Sequence, residues 1–272
     1  MPELPEVETI KRQLATHLPG LSLIKLEFLD AKTGRFIDQK ELVHIIGKKI
    51  RALKRRAKIL LLEFENGYYL AIHLKMTGQI ILKGEHTKHL PNKHTRAVLY
   101  FQKGKTIYFQ DLRKFGWLKI TNRQKLMAEK LGPEPFGPEF TLSYLQDRLK
   151  KSNRPIKIFL LDQSQIAGIG NIYANEALFL AKIRPQTRAK EISLNKAKIL
   201  YQQILAVLKK GIELGGASDS DYLNAYGSRG QYQEHFLVYR RQGQPCPNCQ
   251  ALIKRISLGG RGSFYCPQCQ KK

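Results

Sequence analysis

The stretch Gly132-Pro133-Glu134-Pro135-Phe136-Gly137-Pro138 separates two kinds of hydrophobic periodicity, and the fold class follows from what stands on either side of it. Proline lacks the N–H that a helix or a ladder needs, and glycine leaves the backbone unrestrained, so the stretch reads as a linker. On its N-terminal side the pattern is that of short strands. Ile24, Leu26 and Phe28 alternate with Lys25 and Glu27, the period of a strand with one face in a core. Residues 59–64, 68–74, 79–82, 96–101, 106–109 and 117–120 read similarly, and about eight strands at antiparallel spacing predict a β-sandwich. Ahead of them Val7, Ile10, Leu14 and Leu18 mark one buried face of a leading helix, which Pro19-Gly20 ends.

On the C-terminal side the period becomes helical, over 142–150, 155–162, 172–181 and 193–214. In the last of these Ala197, Leu200, Ile204, Leu208 and Ile212 share a face, and Gly215-Gly216 stops it. Residues 217–235, rich in Gly, Ser, Asp and Tyr, are expected to form a mobile loop. All four cysteines lie in the tail beyond. The chain is therefore read as an α+β multi-domain protein divided into 1–132, 133–235 and 236–272.

Its 272 residues suffice for two domains and a small appendage. A formal charge of +25, from 47 Lys+Arg against 22 Asp+Glu, calls for a polyanionic partner, nucleic acid or an anionic membrane. The membrane reading is the weaker, because no apolar run approaches the roughly 20 residues of a spanning helix and the cations are spread over strands and loops as well as helices. Acidic residues at positions 3, 6 and 8 leave no hydrophobic signal core at the start. A cytoplasmic location is expected, with the cysteines reduced or metal-bound.

Cys246-Pro-Asn-Cys249 and Cys266-Pro-Gln-Cys269 form two CxxC pairs sixteen residues apart. Each tight turn offers two thiolates, together the tetrahedral set that one structural zinc ion requires. Redox-active dithiols are the alternative, which two symmetric pairs in a basic tail fit poorly. Ile253, Ile256, Phe264 and Tyr265 predict a β-hairpin between the knuckles. Its Gly259-Gly260-Arg261-Gly262 turn presents Arg261 either to a partner surface or simply to solvent.

At the other end, Met1 precedes Pro2, a small residue of the kind that permits removal of the initiator. A terminal amine has a pKa near 7.7–8.0, so a useful fraction is neutral and nucleophilic at physiological pH. Attack on an aldehyde-like sugar carbon gives an iminium that acidifies the neighbouring carbon. Glu3 and Glu6 share a face of the first turn beside that amine, although acids at a helix start are also explained by the dipole alone.

Pro2-Glu3-Leu4-Pro5-Glu6-Val7-Glu8-Thr9 resembles the opening of the formamidopyrimidine-DNA glycosylase family, bacterial enzymes that excise oxidised purines. Leu4 favours this branch over the related endonuclease VIII branch, which has glycine there. Arg55-Arg56-Ala57-Lys58 is similar to the family's basic lead-in, and residues 73–78, 111–116, 167–173 and 261–266 resemble its later motifs, in family order over essentially the whole chain.

The resemblance implies a clamp of two domains: the helix and β-sandwich, and a helix–two-turns–helix domain carrying a lesion-recognition loop. A zinc-finger β-hairpin with one structural zinc ion follows. It implies that Pro2 is the Schiff-base nucleophile, Glu3 the acid/base and Glu6 a support. Lys58 and Arg261 would complete the catalytic set by holding phosphates beside the lesion, and His94, Lys157, Asn171 and Tyr173 would contact DNA. Met76, Arg113 and Phe115 would enter the duplex as the damaged base leaves, with Arg113 also counted among the DNA contacts. For Met76 strand parity allows a core position equally, because Leu70, Ile72 and Leu74 share it. Gly116 favours an exposed Phe115. The 217–224 loop would close on the flipped base through Ser218, Ser220 and Tyr222.

Two departures from the family pattern stand out. Ser220 occupies a position that is often basic, between Asp219 and Asp221, and Val238-Tyr239-Arg240-Arg241 has arginine where glycine is usual. The run 48–58, with seven cations in eleven positions, is a DNA-facing strand and bend or a solvated edge.

The expected function is that of a monomeric, nucleoid-associated bifunctional glycosylase/AP lyase on double-stranded DNA containing 8-oxoguanine, formamidopyrimidines or an abasic site, with no membrane partner. The rivals are an endonuclease VIII-like preference for oxidised pyrimidines and a catalytically silent DNA-binding relative.

The cysteine spacing yields the first prediction. Metal analysis will find one zinc per chain, and Cys249→Ser or chelation will unfold the tail and weaken DNA binding while the β-sandwich survives, because so small a tail depends on metal for its folding energy. Active protein with no zinc would overturn this.

Overall fold

Strand β3 (Ile59–Phe64) is buried along its whole length, and the architecture of the N-terminal half follows from satisfying both its faces. Antiparallel partners β2 (Ile50–Arg56) and β4 (Tyr68–His73) flank it, and β8 (Trp117–Asn122) completes a sheet in the order β2-β3-β4-β8. Register aligns Leu53, Leu62, Leu70 and Ile120 in one inward row across the four strands. A second sheet contains β1 (Leu23–Phe28), β5 (Gly78–Leu82), β6 (Thr95–Phe101) and β7 (Thr106–Asp111) in the order β1-β6-β7-β5. Its matching row is Leu26, Leu99, Ile107 and Leu82. All these side chains belong to one hydrophobic cluster, which also takes in Val7, Ile10 and Leu14 of helix α1 (Leu4–Ala15). Each such side chain contributes about 1.5–3 kcal/mol by leaving water. The predicted β-sandwich with a leading helix is what forms.

The computed structural model describes residues 1–84, 87–127 and 130–271. They fall into two compact units, Met1–Glu129 with Ile212–Gln233, and Lys130–Gly211 with Glu234–Lys272. The first unit also holds two short helices that sequence periodicity does not reveal, α2 (Ala31–Gly34) and α3 (Arg123–Met127), each too short to repeat a helical face. Residues 217–235 depart from expectation as well. Their polar composition predicts a mobile loop, yet Tyr222 and Ala225 are packed into the sandwich cluster and Ser218 is fully buried.

The second unit is built on α4 (Leu142–Lys150), α5 (Ile156–Leu161), α6 (Asn171–Leu180) and most of α7 (Leu194–Glu213). Thr141 caps α4 by accepting the Tyr144 N–H at 3.1 Å. Helix α6 is buried nearly all round, as a central core helix must be. Beyond Glu234 the chain forms the antiparallel hairpin β9 (Lys254–Leu258) and β10 (Arg261–Tyr265), joined by Gly259-Gly260. Both glycines have positive φ, 54° and 72°, the conformation of a two-residue hairpin turn.

Gly211 on α7 faces the buried ring of Tyr173, and a Cβ there would lie 2.6 Å from Tyr173 Cε1. Alanine gains about 1 kcal/mol over glycine in a helix interior, but overpacking a rigid core costs about 1–3 kcal/mol. Gly211→Ala is therefore expected to lower the urea midpoint of unfolding; a raised midpoint would show that helix propensity wins.

Candidate active site and zinc centre

The start of α1 is a buried polar turn. Pro2 is buried, and Glu3 and Glu6 are only 2 % and 1 % exposed. Glu6 acts as a bridge: Oε2 accepts the Glu3 N–H at 2.7 Å, and Oε1 accepts the Ala217 N–H at 2.7 Å. One carboxylate thus ties the N-terminal turn to the segment after α7. Gly216 makes that approach possible, since its φ is 86° and a Cβ would lie 2.8 Å from Glu6 Cγ.

Lys58 follows Ala57 in the β2–β3 turn, where Ala57 takes a left-handed φ of 52°. Arg55 organises this turn from below, with Nη1 on Ala57 O at 3.0 Å and Nε on Glu8 Oε2 at 3.1 Å. Glu8 belongs to α1, so the ion pair places the Lys58 turn beside the N-terminal helix. Lys11 and Arg12 also hold the Glu8 carboxylate, at 2.8 Å and 2.9 Å. Burial pushes the Glu8 pKa up, but these donors and the Arg55 charge outweigh it and keep the carboxyl below its ordinary range. Sequence reasoning reads Arg55 as part of a charge run and of the 55–58 family motif but gives it no partner, because nothing local connects it to a glutamate 47 positions earlier.

His73, first residue of the 73–78 motif and without a role in the sequence reading, ends β4 next to Lys58. Its Nδ1 accepts the Lys75 N–H at 2.9 Å. Burial, then the charges of Lys75 and Lys58, push its pKa down to about 3, so the ring is neutral at physiological pH.

Met76 and Phe115 are 40 % and 43 % exposed, and the Arg113 guanidinium lies 4.9 Å from the Phe115 ring centre. For Met76 the core alternative fails because β4 stops at His73 and Lys75 turns left-handed, with φ 52°. His94 is half-buried ahead of β6, its N–H on Asn92 Oδ1 at 2.9 Å.

The expected loop residues divide. Ser218 is fully buried, its Oγ donating to Tyr222 O at 2.8 Å and accepting the Gly230 N–H at 2.9 Å. The buried Tyr222 hydroxyl donates to Gly215 O at 3.1 Å. These two anchor the segment instead of offering groups to a base, while Ser220 at the tip is exposed.

In the second unit, Asn171 begins α6 after Gly170, half-buried at a helix N-terminus. Arg261 is exposed at the first position of β10. Lys157 and Tyr173 differ from expectation. Lys157 is fully buried, its ammonium donating to Gly262 O at 2.6 Å and Ser263 Oγ at 2.7 Å. An ammonium so placed supports the strand that carries Arg261 rather than touching a phosphate. Tyr173 likewise packs its ring in the core against Gly211. Arg240, at the position where glycine is usual, has φ 55°, which explains the glycine: a side chain costs roughly 1 kcal/mol in that conformation.

The four cysteine sulfurs lie within 4.8 Å of one another. Cys249 Sγ is 3.4 Å from Cys266 Sγ and 3.5 Å from Cys269 Sγ, and Cys246 Sγ is 3.8 Å from Cys269 Sγ. Sulfurs bound at about 2.3 Å to one tetrahedral ion stand about 3.8 Å apart, so the set fits one structural zinc. Helix α6 supports the finger: Asn175 Oδ1 accepts the Phe264 N–H at 2.8 Å, and buried Glu176 accepts the N–H groups of Leu237, Val238 and Tyr239 at 2.8, 3.1 and 2.9 Å.

Comparison with known proteins agrees with this layout. Residues 1–118 match the formamidopyrimidine-DNA glycosylase N-terminal domain, 131–222 the formamidopyrimidine-DNA glycosylase H2TH domain, and 243–272 a zinc finger found in FPG and IleRS. The formamidopyrimidine-DNA glycosylase of Chloroflexus aurantiacus is 43% identical over 273 residues, covering 99% of this chain and 98% of that protein. Among solved structures, Lactococcus lactis Fpg with abasic-site DNA superposes with a TM-score of 0.92 at 33% identity, over 99% of this chain and all of that one. A variant of the same Lactococcus lactis protein with Fapy-dG-containing DNA also gives 0.92 at 33% identity, over all of both chains.

The His73 ring yields a prediction. An unfolded histidine takes up a proton near pH 6.5, whereas the folded ring refuses it down to about pH 3. The group's contribution to stability is therefore intact above pH 6.5 and is lost with acidification across that window, by up to about 1.4 kcal/mol per pH unit. His73→Gln in zinc-saturated protein should flatten the fall in urea midpoint between pH 7 and pH 5; an unchanged slope would mean that the folded ring titrates normally.

Proposed function

The chain belongs to the formamidopyrimidine-DNA glycosylase family, and from that membership we propose that it is a bifunctional DNA glycosylase/AP lyase of base-excision repair, acting as a monomer on duplex DNA. Its substrates are oxidised purines, 8-oxoguanine and formamidopyrimidines, and abasic sites. Lactococcus lactis relatives bound to Fapy-dG and abasic-site DNA support that substrate class. The observation that carries the reading is the buried Pro2–Glu3–Glu6 turn beside the Lys58 turn, in a chain of charge +25.

In the proposed reaction the Pro2 amine, freed of Met1, attacks C1′ of the damaged nucleotide. The N-glycosidic bond breaks with its electron pair going to the base, and Glu3 assists by supplying a proton for ring opening. The resulting iminium acidifies C2′. Loss of that proton expels the 3′-phosphate, and a second elimination expels the 5′-phosphate. Glu6 fixes the backbone of the nucleophile's turn by accepting the Glu3 N–H, and joins it to the loop after α7 by accepting the Ala217 N–H. Lys58 and Arg261 are assigned to phosphates flanking the lesion, His94 to the backbone, and the α6 N-terminus with Asn171 to a further phosphate, where a helix dipole favours an anion. Lys157 and Tyr173 support these contacts from within. Met76, Arg113 and Phe115 fill the vacated stack, and the tip at Ser220 faces the flipped base. Functionally the chain divides into 1–132 for chemistry, 133–235 for DNA binding and the lesion loop, and 236–272 for the finger. No helix among the described residues is long and apolar enough to cross a membrane, and we place the protein with the bacterial nucleoid.

Borohydride added during turnover is expected to link the protein covalently to abasic-site DNA through Pro2, identified by peptide mapping. A cross-link mapped to a lysine would remove Pro2 as nucleophile. Failure to trap any adduct would favour a catalytically silent DNA-binding protein.

A further inference from the structure

Asp111 is the last residue of β7, is fully buried, and sits between two turns that the proposed function uses. Its Oδ1 accepts the Thr77 hydroxyl and, at 3.1 Å, the Arg113 N–H; its Oδ2 accepts the Gly116 N–H at 2.7 Å. The Arg113 N–H is shared with Thr77 Oγ1 at 3.0 Å. The residue's own main chain is fixed too: its N–H donates to His94 O at 2.9 Å, and its carbonyl accepts Arg96 Nε at 2.8 Å.

Thr77 adjoins Met76 in the turn that Gly78 closes by donating to Leu74 O at 2.9 Å. Arg113 and Phe115 lie in the turn between β7 and β8. The two turns are 34 positions apart in sequence, and neither shields its side chains: Met76, Arg113 and Phe115 are all exposed. With little packing of their own to fix them, these side chains owe their mutual spacing to the backbones beneath. A carboxylate is an acceptor only, with room for several donors, and in a buried site it is satisfied only if every donor stays in place. Gly116 leaves no slack, since a Cβ there would lie 2.6 Å from Phe109 Cζ and 3.0 Å from Asp111 Oδ2.

We infer that Asp111 is a positioning residue that locks the Met76 turn and the Arg113–Phe115 turn into one rigid wedge for base extrusion. This rests on the reading of those three side chains as duplex-inserting. The carboxylate touches no substrate; it acts by keeping a methionine and a phenyl ring at the separation that a vacated base stack demands.

The test compares excision of 8-oxoguanine from duplex DNA, which needs extrusion, with cleavage of a preformed abasic site in single-stranded DNA, which does not. Asp111→Asn turns one acceptor into a donor that faces the main-chain N–H of either Arg113 or Gly116, and Thr77→Val removes the hydroxyl with its bonds to the carboxylate and to the Arg113 N–H. Both are expected to lower kcat/KM on the duplex by roughly tenfold or more, with the single-strand activity within about twofold of the parent. A 2-aminopurine placed next to the lesion should lose most of its stopped-flow insertion signal. Adding Asp111→Asn to the Met76→Ala, Phe115→Ala double variant should cost little further, because the wedge is already gone. If Asp111→Asn fails to fold, Thr77→Val decides alone. Full duplex activity in Thr77→Val, or equal losses on both substrates, overturns the inference while leaving the insertion reading intact. Full duplex activity in the Met76→Ala, Phe115→Ala variant overturns the insertion reading itself.

Discussion

The Glu6 carboxylate, almost wholly removed from water, is the constraint on which the first unit's chemistry depends. A charge in that position is tolerated only with its lone pairs met, and among the donors that meet them are main-chain N–H groups at Glu3 and Ala217, separated by more than two hundred residues. Satisfying one buried carboxylate therefore fixes the backbone of the turn that carries Pro2, the proposed nucleophile, and, in the same act, the entry to the loop after α7. Gly216 at φ 86° and the buried Ser218 and Tyr222 follow from that closure, since the loop must approach a carboxylate closely and then leave through anchored positions.

The second unit repeats the device with different residues. Helix α6 is too apolar to need surface partners, and its few buried polar side chains are aimed at main-chain groups of the cysteine-bearing tail. Asn175 accepts from Phe264, Glu176 from three consecutive N–H groups, and Lys157 on α5 donates to Gly262 and Ser263. A hairpin with so small a core depends on zinc for its knuckles and on these contacts for its orientation. The exposed Arg261 is thus delivered by a strand held from beneath, a more accurate mount than a free loop.

Side chains proposed to touch DNA and side chains that support them are told apart by the partners they meet, and composition cannot make that distinction. Lys58 and Lys157 are both lysines in family motifs. Both are buried, at 6 % and 0 % exposure: Lys58 follows a left-handed turn beside the N-terminal helix, whereas the Lys157 ammonium is bonded to Gly262 O and Ser263 Oγ. Met76 shows the same limit from the other direction: strand parity alone gave it an even chance of being core, and a single left-handed residue, Lys75, turns it outward.

The sequence by itself determined the features that repeat or recur locally. The alternation in β1, the apolar run of β3, the helical faces of α1 and α7, the punctuation at 132–138 and the paired CxxC knuckles are legible because strand, helix and metal turn each leave their mark within a few residues. The blocks 2–9, 73–78, 111–116 and 167–173 carried the family and, with it, the chemistry. Only the tertiary structure decided that Tyr222 and Ala225 are packed in the sandwich core, that α2 and α3 exist, and that Glu6, Arg55, Lys157 and Asp111 meet the partners they do. Those outcomes turn on hydrogen bonds between residues tens to hundreds of positions apart. A buried polar pair of that kind leaves no periodic trace, because its cause is the desolvation of one group and the chance proximity of another after the chain has folded.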